Sequence, residues 1–295
     1  MFDLRYHVAS LAAVFLALVI GIVVGVGISG KGFVSDSERR VFNERIADLK
    51  SERNAARLRS AELARSQRAA QTFVADAYPA LMSDRMKGLR VAVVFAGHED
   101  GRVLSLVEQA LEDAGGTPPL RTRALKLPID LQAVRKALAN RPALVALVTR
   151  GRIAELGRRL GVDLVAGGKA PVWELLSGVL VEERSGNDGP PVDGVVIART
   201  VEPQAGATAR FLAGFYAGLA SAGVPAVGVE RTGDAVTAVA AFAKQDLSTV
   251  DDLDTLAGRL AVVLLLGGSA PGDYGVKKTA KDGVLPPIQP VPAVG

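Results

Sequence analysis

From Val8 to Ile28 the chain is apolar without a break. Between His7 and Lys31 it carries no charge, and the only polar side chains there are Ser10 and Ser29. A helix of this length would measure about 31 Å, enough to span the hydrocarbon core of a bilayer. Cleaved signal peptides have a shorter apolar region, and Gly25-Val26-Gly27 is a poor cleavage site, so the pattern predicts a retained signal-anchor over residues 1–30. Small residues recur at every fourth position: Ala9, Ala13, Ala17, Gly21, Gly25 and Ser29. A four-residue step overshoots a full turn by about 40°, so only about three consecutive rungs share one straight face. Ala17, Gly21 and Gly25 are therefore the candidates for close packing against another membrane helix, of the small-xxx-small type.

The next stretch has a seven-residue period. Gly30 and Gly32 break the apolar helix, and Phe33 to Tyr78 then runs without Gly or Pro. Ser35 and Glu38 have capping-box spacing, which marks a fresh helix start. Phe42, Leu49, Ala56, Leu63, Ala70 and Ala77 form one apolar column, equivalent to coiled-coil d positions. The matching a column is half polar: Arg39, Ile46, Arg53, Ser60, Gln67, Val74 and Leu81. Together they predict a long coiled-coil helix, a stalk over residues 33–87 that pairs with a second copy. Polar a positions weaken such a seam, so its middle should pair loosely and open a groove for another helix. Arg53, Ala56, Ser60, Leu63 and Gln67 are the candidate partner-binding residues. Pro79 is expected to end the run, with a short helix from Ala80 to Lys87 closed by Gly88.

Beyond Gly88 the pattern alternates. Leu89–Phe95, Leu120–Ala124, Val192–Ala198 and Pro225–Val229 read as buried strands. Val103, Leu104, Val107 and Leu111 recur at helical spacing, Asp130 starts another helix, and Ala143–Leu160 and Ala207–Ser221 read as helices. A last helix, capped by Asp254, should end near Leu266. Strands alternating with helices predict an α/β fold, a Rossmann-like parallel-sheet domain over residues 88–271. From Gly272 the chain is polar and rich in proline (Pro286, Pro287, Pro290, Pro292), and is expected to be disordered to residue 295.

Composition narrows the function classes. The 295 residues hold no cysteine, which excludes disulfides and thiolate metal sites. Net charge is only +4, aromatics are 5%, and no basic cluster is interleaved with Phe or Tyr, so no nucleic-acid surface is expected. The first strand–turn–helix reads Phe95-Ala96-Gly97-His98-Glu99-Asp100-Gly101. It lacks the glycines of a dinucleotide cradle, and no Gly-Lys-Ser/Thr follows, so no cofactor is expected. His98, Glu99 and Asp100 would suit acid–base chemistry, but they equally suit a polar turn that caps a helix. Asp251, Asp252 and Asp254 would attract a hard cation, yet a helix N-terminus also favours carboxylates. No catalytic and no metal-ligating set is predicted. From Arg53 to Arg68 the stalk carries Arg53, Arg57, Arg59, Arg65 and Arg68 against Glu62 alone, a solvated face or one that meets an acidic partner. Counting positive residues on either side of the apolar segment places the C-terminal part in the cytosol, although long domains often translocate regardless of charge.

The opening Met1-Phe2-Asp3-Leu4-Arg5-Tyr6-His7-Val8-Ala9-Ser10-Leu11 and its continuation to Leu18 resemble the start of the actinobacterial family called mycobacterial copper transport protein B. Ser248-Thr249-Val250-Asp251-Asp252-Leu253-Asp254 and Gly272-Asp273-Tyr274-Gly275 carry the same resemblance near the end. It spans essentially the whole chain. It implies copper homeostasis and a place in the cell envelope, where a pore-forming outer-membrane role has been proposed for the family. It also implies an anchored partner of a cell-division complex, whose coiled coil dimerises outside the cytoplasmic membrane and engages that of a peptidoglycan hydrolase. This resemblance, against the charge count, places the C-terminal domain outside the cytoplasm. The donor set for copper is thin: His7, His98 and three methionines, of which Met82 and Met86 are four apart and as readily packed in a core. A single span has no lumen, and no series of ten-residue alternating strands suggests a transmembrane barrel. The residues thus favour an interaction protein over a direct transporter, and an enzyme is not expected.

Overall fold

The computed structural model describes residues 4–29, 36–149, 151–168, 171–187 and 189–289. They form two compact units, residues 1–70 and 71–295. The first holds helix α1 (Leu4–Ser29) and most of helix α2 (Asp36–Met82). In α1, Tyr6–Gly27 is long and apolar enough to cross a membrane, and its side chains are exposed all round. Gly30, Gly32 and the Ser35 of the capping box lie outside the described residues.

Helix α2 runs 47 residues and continues past Pro79, which was expected to end it. Proline removes only its own N–H, and this falls in the last turn, where the Ser83 N–H still reaches the Pro79 carbonyl at 3.1 Å. Tyr78 and Met82, both buried, hold that turn in the core of the second unit. In place of a helix from Ala80 to Lys87, turns lead from Met82 to Gly88, whose φ of +77° suits glycine.

The second unit is a seven-stranded sheet with helices on both faces. Its strands are β1 (Val91–Ala96), β2 (Arg121–Leu125), β3 (Val181–Gly186), β4 (Gly194–Arg199), β5 (Ala226–Val229), β6 (Ser248–Val250) and β7 (Asp273–Tyr274), in spatial order β3-β2-β1-β4-β5-β6-β7. Every neighbouring pair is parallel except β2 with β3. The helices are α3 (Gly101–Asp113), α4 (Leu131–Ala137), α5 (Pro142–Val145), α6 (Ile153–Ala166), α7 (Pro171–Leu180), α8 (Gly206–Ala220), α9 (Val239–Ala243) and α10 (Leu256–Leu266). β1 is buried on both sides, and successive side chains of a strand point to opposite faces. Ala92, Val94 and Ala96 join the cluster formed with α4, α6 and α8. Val91, Val93 and Phe95 join the other, with α3, α10, Met82 and Met86.

Three expectations are corrected here. The helix read over Ala143–Leu160 is two helices, α5 and α6, separated by turns. Thr255, not Asp254, caps α10: its hydroxyl accepts the Gly258 N–H at 2.9 Å, while Asp254 accepts from both the N–H and the hydroxyl of Thr232. Within the described residues, the segment from Gly272 to Gln289 is not a disordered tail, because Asp273 and Tyr274 pair with β6 and Tyr274 is buried. Further along, the Ser269 hydroxyl bonds the Pro287 carbonyl, and Arg85 bonds that of Gln289. Proline here removes donors from an extended segment whose partners are side chains, so Pro286 and Pro287 do not prevent docking. Pro290 and Pro292 lie outside the described residues.

Candidate partner-binding surface

Arg53, Ala56, Ser60, Leu63 and Gln67 follow one another at steps of three and four residues. On a helix that spacing aligns them in one stripe about 21 Å long. All five lie on α2 and all are exposed, Leu63 at 69%. The same exposure marks the apolar column on the N-terminal side of the stripe, with Phe42 at 68% and Leu49 at 60%. Amphipathic helices in globular proteins bury such a stripe, so an exposed one asks for a partner. On α1, Ala17 is exposed and a methyl group added at Gly21 or Gly25 would meet nothing within 4 Å.

The C-terminal end of α2 is tied down by specific groups. The Tyr78 hydroxyl donates to Asp113 Oδ2 at 2.8 Å, and the Arg259 guanidinium lies over the Tyr78 ring, 5.8 Å from its centre. Burial, and then the bond to Asp113, push the Tyr78 hydroxyl well above its ordinary pKa. Met82 and Met86 are fully buried among apolar side chains, which makes them packing residues of the core.

A second concave region lies beyond the carboxyl ends of β1, β4 and β5, where the strand order changes direction. Ligands of open parallel sheets bind at such places. The cavity, about 620 Å³, is lined by His98, Arg199, Thr200, Glu202 and Arg231 among others. Its construction does not suit a phosphate. Asp100 takes the Arg102 and Val103 N–H groups, so a carboxylate of the chain itself already occupies the N-terminus of α3. Gly97, at φ +121°, lets the loop after β4 come so close that an added Cβ would sit 2.5 Å from Val201 Cγ1, and Thr200 donates to the His98 carbonyl at 2.6 Å. The His98-Glu99-Asp100 run is not assembled as an acid–base set. His98 is exposed, whereas Asp100 is spent on the helix cap and a 3.4 Å ion pair with Arg231.

The acidic run after β6 is bound up in hydrogen bonds. Asp251 accepts from the N–H groups of Val276 and Lys277 and from the Thr279 hydroxyl, and its own N–H donates to the Tyr274 carbonyl. Asp252 accepts from the Thr255 hydroxyl at 2.8 Å. Lys277 in turn reaches Glu230 Oε1 at 2.8 Å. The two C-terminal sequence blocks thus meet as one lock that fastens residues 273–279 to the sheet. Among the described residues, no group of three or more His, Asp or Glu is arranged to hold a metal. Sequence reasoning missed the Glu230–Lys277 bond, for lone charges far apart in the chain carry no periodic signal. It also missed Arg121 and Arg123, which are buried in β2 and donate to the carbonyls of Leu164 and Ser185, among others.

An apolar helix that fits a single-pass anchor, a long helix and a parallel-dominated α/β domain give the architecture of a membrane-associated α/β protein. The chain belongs to the family described as the copper transport outer membrane protein MctB, whose model matches residues 1–285. Among its relatives, the copper transporter MctB of Mycobacterium tuberculosis H37Rv is 28% identical over 315 residues, covering 93% of this chain and 96% of the relative. The copper transporter MctB of Mycobacterium leprae is 28% identical over 323 residues, 97% of this chain and 100% of the relative.

Proposed function

We propose that this chain is a membrane-anchored envelope protein that works as a homodimeric platform. Its α/β domain, read as Rossmann-like, lies outside the cytoplasm. Two copies pair through α2 and through the Ala17, Gly21 and Gly25 face of α1. The loosely paired middle of the stalk, at Arg53, Ala56, Ser60, Leu63 and Gln67, recruits a helical envelope partner such as a peptidoglycan hydrolase in cell division. One observation carries this reading: an uninterrupted 47-residue helix keeps its apolar column exposed from Phe42 to Ala70. Its link to copper homeostasis is then indirect, through the state of the envelope.

The absence of cysteine makes the test clean. Single cysteines at Leu49 or Leu63, in the d column, should crosslink full-length chains in nanodiscs into disulfide dimers. A cysteine at Ser51, on the outer face, should not. Equal crosslinking at all three positions would remove the paired stalk.

The names of the family and of its mycobacterial relatives favour a second reading, direct copper transport or pore formation in the envelope. Thioether and imidazole donors would then have to handle the cargo, and Met82 and Met86 are fixed inside the core. Stoichiometric Cu(I) binding by the full-length chain would carry that reading.

A further inference from the structure

The charges that flank the seam say what kind of helix it accepts. With a and d as assigned, Lys50 and Arg57 fall at e positions, Arg45, Glu52 and Arg59 at g positions, and Arg53 at an a position. All six are exposed, and none has a side-chain partner among the described residues. At the a, e and g positions over about 21 Å of helix, five cations stand against one carboxylate; Asp48, at a c position, points away from the seam. A parallel, in-register pair of copies makes this worse. Arg53 would face Arg53 of the second copy, and Arg45 at g would face Lys50 at e; only Glu52 opposite Arg57 is attractive. Two stalks therefore gather uncompensated positive charge beside the polar part of their own seam. The d column next to it, Leu49, Ala56 and Leu63, still offers apolar contact.

We infer that the helix docking at this mid-seam is acidic, with an apolar stripe for the d column and carboxylates that meet Lys50, Arg53 and Arg57. This rests on the docking reading proposed above and names the chemistry of its partner. Opposite charge steers the encounter and fixes the register, while like charge rejects a third copy of the stalk.

Three synthetic helices test it, each four heptads long with the same Leu and Ala seam, but with Glu, Gln or Lys at the flanking positions. Binding to the full-length chain in zwitterionic nanodiscs is read by fluorescence anisotropy. At 0.1 M salt the Glu helix should bind about ten-fold tighter than the Gln helix, and the Lys helix weakest. At 1 M salt, where the screening length falls from about 10 Å to about 3 Å, the order should collapse. The variant K50E/R53E/R57E should prefer the Lys helix, an inversion that a misfolded chain would not give. Equal affinity for all three helices overturns the acidic-partner inference and leaves helix docking standing, whereas no binding by any removes both. Competition by unstructured polyglutamate as strong as by the Glu helix would also overturn it, and would assign the stripe to an anionic polymer.

Discussion

Asp252 is wholly buried and bonds through only one carboxylate oxygen; Oδ1 has no hydrogen-bond partner among the described residues. Burial, reinforced by the neighbouring Asp251 and Asp254 charges, raises its pKa above the ordinary carboxylate range. The folded state therefore holds this proton more tightly than the unfolded chain does. Its stabilising contribution is complete below about pH 4, the unfolded value, and is lost as pH rises through the raised folded value. Asp252→Asn keeps an acceptor for Thr255 and removes the buried charge. The variant should melt at a higher temperature than the parent at pH 7, with the gap closing toward pH 4, in thermal denaturation followed by circular dichroism. A gap independent of pH would mean that Asp252 does not titrate between those limits. Next to it, Gly275 sits at φ +135° with its missing Cβ only 2.0 Å from Asp251 Oδ1. That glycine is the space through which Asp251 reaches the Val276 and Lys277 N–H groups, and it explains why two blocks far apart in sequence act as one lock.

At the level of elements, the tightest contact is the crossing of α6 and α8. A Cβ on Gly214 would lie 1.9 Å from the Ala154 carbonyl oxygen, and one on Gly218 2.2 Å from that of Arg158; Gly157 and Gly161 face the α8 backbone in the same way. The backbones touch directly, so Gly214→Ala must push whole helices apart. It should cost about 3 kcal/mol, the upper end of ordinary overpacking, measured by urea denaturation of the parent and variant. A loss below 1 kcal/mol would show that the crossing relaxes. This pairing was not legible in the sequence, because glycine at four-residue steps inside a soluble helix reads as a weak helix former before it reads as a contact. Continuous apolar runs were legible: β1, β4, β5, α8 and α10 follow their hydrophobic patterns to within a few residues. β3 was not, since Val181-Glu182-Glu183-Arg184-Ser185-Gly186 is an exposed edge strand whose charges hide the strand period. β6 and β7 have three and two residues, too few to show any period. The helix that carries the candidate surface was legible, because a 46-residue run without Gly or Pro is a property of sequence alone. The way α2 ends was not, because Tyr78 and Met82 are held by residues of α3 and α10 that lie far along the chain.

At the scale of the whole molecule, the side of the membrane that holds the α/β domain decides which partners are within reach. With one apolar span among the described residues this is a single two-way choice, and two signals oppose each other. Positive residues after the span, Lys31, Arg39, Arg40 and Arg45, favour the cytosol, while the family's place in the envelope favours the outside. A folded domain of this size translocates largely regardless of short-range charge, so the envelope assignment carries more weight. Asn140, exposed in the turn after α4, offers a reporter position in a chain without cysteine. In intact cells, Asn140→Cys should react with a membrane-impermeant maleimide to the same extent as after permeabilisation. Labelling that appears only after the cytoplasmic membrane is opened would place the stalk and its basic stripe inside. A hydrolase of the cell wall would then be out of reach, and the partner for an acidic docking helix would have to be sought among cytoplasmic proteins.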